Sequence, residues 1–221
     1  GTGYTGKVLA RLATASGAID RFAGTSRTEE TLTMLESLGA EAIHFDLQED
    51  DIALLAPHIT PDTWVIYSVP TLHREYEPAA NAETPARHVA PVREVLEVAS
   101  SADARGFIYL SATSVYGDHQ GEEVTEESAR EPTSPIGKMR ADIEDEVLSF
   151  QGSIDHLLVA RLVGIYGPGR TLAEYIPKGR YKLVDGGKKR TNRIHVEDIA
   201  GALLAIVGVV LVSLDAGRAD G

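Results

Sequence analysis

Gly1, Gly3 and Gly6 stand in G-x-G-x-x-G spacing, and the residues behind them, "KVLARLATA", carry a helical pattern. In that spacing the first glycine permits a tight turn and the second lets backbone approach a pyrophosphate. The third allows a helix to pack closely on a strand. The helix start then offers free N–H groups and a positive dipole end to phosphate oxygens. A glycine turn with no ligand carries the same letters, so the order glycine loop, helix, strand is what points to a dinucleotide. The next strand bears on which one. A carboxylate at its end would bind the ribose 2′-OH of NAD, and a base would accommodate the 2′-phosphate of NADP. Here it ends in "GTSRT", with Ser26 and Arg27 and no acid, while Asp20 lies at the opposite end. That favours NADP, with NAD as the alternative and a solvated Arg27 as the plain reading.

These groups need a scaffold, and composition supplies its class. The 221 residues are 43% apolar and 24% charged, enough for one domain with a substantial core. A formal net charge of -12 speaks against nucleic acid or an anionic membrane surface as partner. The absence of cysteine excludes disulfides, a thiolate nucleophile and cysteine-based metal sites, in keeping with a cytoplasmic protein. No residue set suggests a metal. The opening residues lack the basic-then-apolar pattern of a secretory leader. "ALLAIVGVVLV", Ala202 to Val212, is too short to span a bilayer and reads as a helix end, a glycine turn and a buried strand.

Short β-branched runs alternate with helical patterns along the chain. The strands expected are Arg21 to Ser26, Ala42 to Asp46, Trp64 to Val69, Gly106 to Ser111, His156 to Leu162, and Val209 to Asp215. Helices are expected near residues 4–16, 28–38, 82–101 and 137–150, with Ser26 and Glu29 spaced as a capping box. Apolar strands alternating with helices predict an α/β fold with a doubly wound parallel sheet, the Rossmann fold, and a small C-terminal substrate-side region within residues 165–195. The usual strand before the glycine loop is missing, which reads as a trimmed start.

On these elements the sequence resembles the NAD(P)-dependent epimerase/dehydratase-like branch of the extended short-chain dehydrogenase/reductase superfamily. The likeness rests on the glycine motif, "FIYLSATSVYGD", "EEVTEESAREPTSPIG", "ARLVGIYGPGR" and "TNRIHVEDIAGALLA", in that order over nearly the whole chain. The resemblance implies that Gly1, Gly3, Tyr4, Thr5 and Gly6 line the pyrophosphate and that Arg27, beside Ser26, meets the adenosine phosphate. It sets Asp46 and Leu47 beside adenine, and Ser68, Val69 and Pro70 at the nicotinamide ribose. Substrate would lie over Thr113, Ser114, Tyr116 and the "GIYGPGR" loop.

Where this chain departs from the pattern, chemistry is lost. The family uses a strand hydroxyl and a Tyr-x-x-x-Lys pair, the tyrosine moving a proton and the lysine lowering its pKa. Alignment sets Ala112 at the hydroxyl, Ile136 at the tyrosine and Arg140 at the lysine. Isoleucine cannot carry a proton. Arg140 either holds ribose hydroxyls or pairs with Glu144 on the helix surface. Lys138 falls on a different helical face from the family's lysine. Thr113, Ser114, Tyr116 and Arg140 are therefore the catalytic candidates, with His119 and Tyr166 further acids in reach and Tyr116 foremost.

Lys178, Arg180, Lys182, Lys188, Lys189, Arg190 and Arg193 form a basic segment in an acidic chain. It is either a solvated face or an electropositive mouth for an anionic substrate. By the resemblance, Thr191 stands where nucleotide-sugar enzymes carry an arginine, with Arg190 and Arg193 nearby. His195 and Asp198 are expected to fix the start of the last helix. The partners expected are a small-molecule, anionic substrate and a second copy in a homodimer. Three functions follow: an NADP-dependent oxidoreductase or epimerase with an altered acid–base group, a non-catalytic NADP-responsive regulator, and a homologue that binds no cofactor.

Overall fold

The computed structural model describes residues 1–71, 75–78, 86–179 and 191–218, with side chains described as far as residue 208. The elements run α1 (Tyr4–Ser16), β1 (Ala23–Ser26), α2 (Glu29–Ser37), β2 (Glu41–His44), β3 (Trp64–Tyr67) and α3 (Ala90–Ser101). Then come β4 (Gly106–Ala112), α4 (Pro135–Ser149), β5 (His156–Leu162), β6 (Gly164–Tyr166), α5 (Leu172–Tyr175), β7 (Arg193–His195) and α6 (Val196–Arg218). This is the expected α/β alternation. Among the described residues the strands hydrogen-bond as three sheets, in the orders β1-β2, β3-β4-β5 and β6-β7. The pairs β3/β4 and β6/β7 are parallel. The chain divides into two compact units, one of Gly1, residues 25–28 and residues 43–161, the other of residues 2–24, 29–42 and 162–221.

The first unit is built on β3-β4-β5. Trp64 pairs with Gly106 and Tyr67 with Tyr109. Gly106 is required by its neighbours, because a Cβ there would stand 2.5 Å from the Trp64 ring and 2.9 Å from the His156 carbonyl. The indole uses that space, stacking on the His156 ring with centroids 5.6 Å apart. Behind the sheet, Val92, Val95, Leu96 and Ala99 of α3 join Phe107, Ile143 and Val147 in the core. Val92, Val95, Leu96 and Ala99 stand at i, i+3, i+4 and i+7, one face of a helix. Proline at the start of α3 explains why the helix begins at Ala90, since the ring suits only the first turn. Residues 82–85, the expected beginning, lie outside the described residues. Helix α4 opens two residues earlier than expected, with the Ser134 hydroxyl accepting from the Gly137 N–H at 3.1 Å.

One buried carboxylate ties this unit together. Glu144 of α4 is fully buried, accepting from Ser111 Oγ of β4 at 2.5 Å and from Arg161 Nη2 of β5 at 2.9 Å. Arg130 Nη1 donates to the same carboxylate at 3.3 Å and also pairs with Asp145. A buried charge persists only when paired and hydrogen-bonded in this way.

In the second unit Ala10, Leu35 and Ala40 form a small core, and Val196, Ile199, Ala200 and Leu203 of α6 are buried. Two sequence expectations fail here and nearby. Val209 to Asp215 is not a strand after a glycine turn, because α6 runs unbroken from Val196 to Arg218. A short, wholly apolar run has no period to separate a helix from a strand, and one glycine costs a helix only about 1 kcal/mol. Nor does Ser26 begin a capping box. Its hydroxyl accepts from the Thr28 N–H at 3.2 Å, and the helix starts at Glu29. No helix of the described residues is long and apolar enough to cross a membrane.

Two substitutions test the first unit. Glu144→Gln should lower unfolding free energy by about 3–5 kcal/mol, because two guanidiniums lose their buried counter-charge. Gly106→Ala should cost about 1–3 kcal/mol through crowding of Trp64. Urea denaturation followed by fluorescence reads both, and midpoints equal to that of the unsubstituted protein would refute these accounts.

Candidate functional site

Gly3 is the N-cap residue of α1, which has no side-chain cap hydrogen bond and no acid in its first turn. Its early N–H groups are therefore not engaged by a capping side chain. A Cβ placed on Gly3 would meet nothing within 4 Å, so protein packing alone does not demand a glycine there. Tyr4, Thr5 and Gly6 form the first helical turn. The Tyr4 hydroxyl donates to the Pro168 carbonyl at 2.9 Å, and the Arg170 guanidinium lies 4.1 Å over its ring. Burial is the largest cause raising the Tyr4 phenol above its ordinary value, partly offset by the charge of Arg170. In this second unit the glycine loop is thus fastened to the "GIYGPGR" loop.

The other cofactor candidates fall in the first unit. Arg27 is exposed and donates to Asp46 Oδ2 at 3.4 Å. Asp46 also accepts from the Gln48 N–H at 3.0 Å. That backbone bond, with Arg27, holds its carboxyl below the ordinary value. Leu47 packs against the core. Ser68 donates to the Gly1 carbonyl at 2.8 Å, which joins the first glycine to the end of β3. Val69 and Pro70 line a shallow recess with Tyr67, Thr71, His88, Pro91 and Ile143.

The catalytic candidates separate into two groups. Thr113 and Ser114 lie in a 3-10 turn directly after β4. Arg140 donates to Ser114 Oγ at 2.9 Å. The surface pair with Glu144 that the spacing of Arg140 allowed is not formed, because Glu144 is turned inward to Arg130 and Arg161. Tyr116 is buried, its oxygen accepting from Arg161 Nη1 at 2.8 Å and its ring lying under the same guanidinium. It belongs to the Glu144 network. His119 packs edge-on to Tyr116, and Tyr166 to His195. His195 Nδ1 accepts from the Glu197 N–H at 3.4 Å, and Glu197 and Asp198 occupy the first turn of α6. Ile136, at the position aligned with the family's tyrosine, is 45% exposed. Lys178, Thr191 and Arg193 are exposed. Arg180, Lys182, Lys188, Lys189 and Arg190 lie outside the described residues.

Sequence reasoning passed over several of these groups. Arg161 within "HLLVARL" was a visible signal, since a cation in an apolar strand needs a buried partner. Glu144 gave a weaker one, lying between Ile143 and Val147 on the apolar side of α4. His88 gave none. Its buried ring bonds Asp142 at 2.8 Å and lies 5.8 Å from the ring of Tyr76. Lys138 Nζ stands 5.7 Å over the same tyrosine. Among the described residues no cluster of side chains is suited to a metal ion.

With that geometry in hand, relatives can be compared. Protein YeeZ of Escherichia coli (strain K12) is 32% identical over 121 residues, 54% of this chain and 42% of that protein. A solved structure of a functionally unknown conserved protein from Silicibacter pomeroyi is 31% identical, with a TM-score of 0.64 over 94% of this chain and 66% of that one. The chain therefore spans less than two thirds of the length of either. The dTDP-glucose 4,6-dehydratase of Streptomyces venezuelae, solved with NAD, shares the fold at a TM-score of 0.73 and 19% identity, over 94% of this chain and 70% of that one. The NAD dependent epimerase/dehydratase family model matches residues 1–210. The chain belongs to that family.

Proposed function

We propose that this chain carries the cofactor-binding part of an NADP-dependent oxidoreductase or epimerase acting on a small carbonyl, hydroxyl or sugar-type substrate, with an altered acid–base group. The observation that carries this reading is the open space at Gly3. A glycine that the protein's own packing does not need, at an uncapped helix start, suits a bound pyrophosphate. When bound, the nicotinamide would supply or accept hydride. In this reading Gly1, Gly3, Tyr4, Thr5 and Gly6 hold the pyrophosphate, and Ser26 and Arg27 receive the 2′-phosphate. Asp46 and Leu47 flank adenine, while Ser68, Val69 and Pro70 flank the nicotinamide ribose. Arg140, anchored on Ser114, orients ribose or substrate hydroxyls as a permanent cation. The exposed basic residues Lys178 and Arg193 favour an anionic substrate.

A regulatory reading draws on one specific observation, the exposed isoleucine at the proton-donor position. In that case the chain binds NADP without turnover and a partner responds to its redox state. The deciding experiment incubates the protein with NADP, NAD and dTDP-glucose, and separately with NADPH and small carbonyls such as glyceraldehyde. Products are followed by mass spectrometry and NADPH fluorescence. Turnover supports the enzyme. Tight cofactor binding with no turnover across these substrates supports the regulator, and no binding removes both.

Two substitutions probe the cofactor. Gly3→Ser should keep or slightly raise stability, because serine is a good N-cap, while dinucleotide affinity falls about tenfold or more as the new side chain enters the phosphate space. Isothermal titration alongside thermal melting separates the effects, and unchanged affinity would count against the assignment. Arg27→Glu should weaken NADP by about tenfold more than NAD, and equal losses would remove the NADP preference.

A further inference from the structure

With Ile136 at the aligned tyrosine position, the chain needs another proton donor if it turns substrate over. One phenol in the first unit has the surroundings for that task. Tyr76 lies in the segment after β3, half-buried. Lys138 of α4 holds its ammonium 5.7 Å from the ring centroid. Asp142, one helical turn along the same face of α4, bonds the buried His88 at 2.8 Å. His88 lies 5.8 Å from the Tyr76 ring and lines the recess with Val69, Pro70 and Thr71. Tyrosine, lysine, aspartate and histidine thus converge beside the end of β3, from three separate segments of the sequence. The helix that has lost its own tyrosine supplies two of them.

We propose that Tyr76 is the proton donor of this chain, steadied by Lys138 and by the His88–Asp142 pair. This rests on the oxidoreductase reading above. Burial first, and then the charge of and hydrogen bond to Asp142, raise the phenol above its ordinary value, so it keeps its proton in the neutral range. In carbonyl reduction a bound NADPH would supply hydride to the carbonyl carbon. The Tyr76 O–H bond breaks, and the proton forms a new O–H bond on the carbonyl oxygen. The Lys138 ammonium offsets the charge of the phenolate, which then recovers a proton from water. His88 acts as a positioning residue, holding Asp142 where it receives the phenol.

The test uses the full chain labelled with [13Cζ]tyrosine, and Tyr76→Phe assigns the resonance. Asp142→Asn should lower the Tyr76 titration midpoint, and Lys138→Met, which removes a cation from over the ring, should raise it. With a carbonyl from the panel that is turned over, Tyr76→Phe should lower kcat about 100-fold while leaving the Kd for NADPH unchanged. Phenylalanine keeps the ring beneath Lys138, so the fold should be retained. A Tyr76 midpoint unmoved by both variants overturns the proposal. So does unchanged kcat in Tyr76→Phe. NADPH binding with normal Tyr76→Phe turnover removes this role alone, whereas absent NADPH binding removes the reaction and this role with it.

Discussion

Burying the Glu144 carboxylate constrains the first unit, and much of the candidate chemistry is arranged around it. Taken alone, a buried carboxylate would shed its charge rather than remain ionised in an apolar interior. Here Ser111, Arg130 and Arg161 surround it with donors from β4, from the loop before α4 and from β5. Those bonds form together only when α4 lies at one height along the strands. That height in turn fixes where the turn after β4 meets the helix. The Ser114–Arg140 contact and the clamping of Tyr116 by Arg161 then follow from one electrostatic requirement.

Helix α4 consequently presents different residues in different directions. Ile143 and Val147 enter the core. Asp142 and Glu146 turn toward the α3 side, where Glu146 takes a bidentate pair from Arg93 at 2.6 and 2.7 Å. Arg140 reaches Ser114. Ile136 in the first turn of α4, like Leu148 near its end, is an exposed apolar side chain. Half in solvent, it adds little to the packing of the helix. Lys138 and Asp142 of α4 lie beside Tyr76, so polar groups also stand on this side of the helix.

Legibility in the sequence followed physical locality. β5 was found to the residue, and β4 to within one, because a β-branched run bounded by turn residues is a local signal. α1 was legible because the glycine loop and the apolar stripe behind it lie within sixteen residues. Where periodicity vanished, as in the apolar run of α6, a strand was expected and a helix formed. The site was less legible, since its contacts join distant segments. Ser111 meets Glu144 across 33 positions and His88 meets Asp142 across 54. No spacing rule reaches that far. The cation Arg161 in an apolar strand, and more weakly the place of Glu144 on the apolar side of α4, hinted at a buried ion pair.

Arg27, paired with Asp46, shows how loosely a surface cation can be held. Its bond to Asp46 is long, at 3.4 Å, and the arginine side chain is 64% exposed. Such surface pairs are worth about 0–1 kcal/mol. A phosphate dianion can offer a guanidinium two parallel, charge-assisted bonds, whereas Asp46 offers one long contact. The Gln48 N–H is the first cause holding the Asp46 carboxyl low and Arg27 a further one, so Asp46 keeps a hydrogen-bond donor when the arginine turns away. Releasing the arginine therefore leaves no orphaned charge. The pair thus leaves an exposed, weakly held cation near the end of β2, free to exchange Asp46 for another anion at small cost.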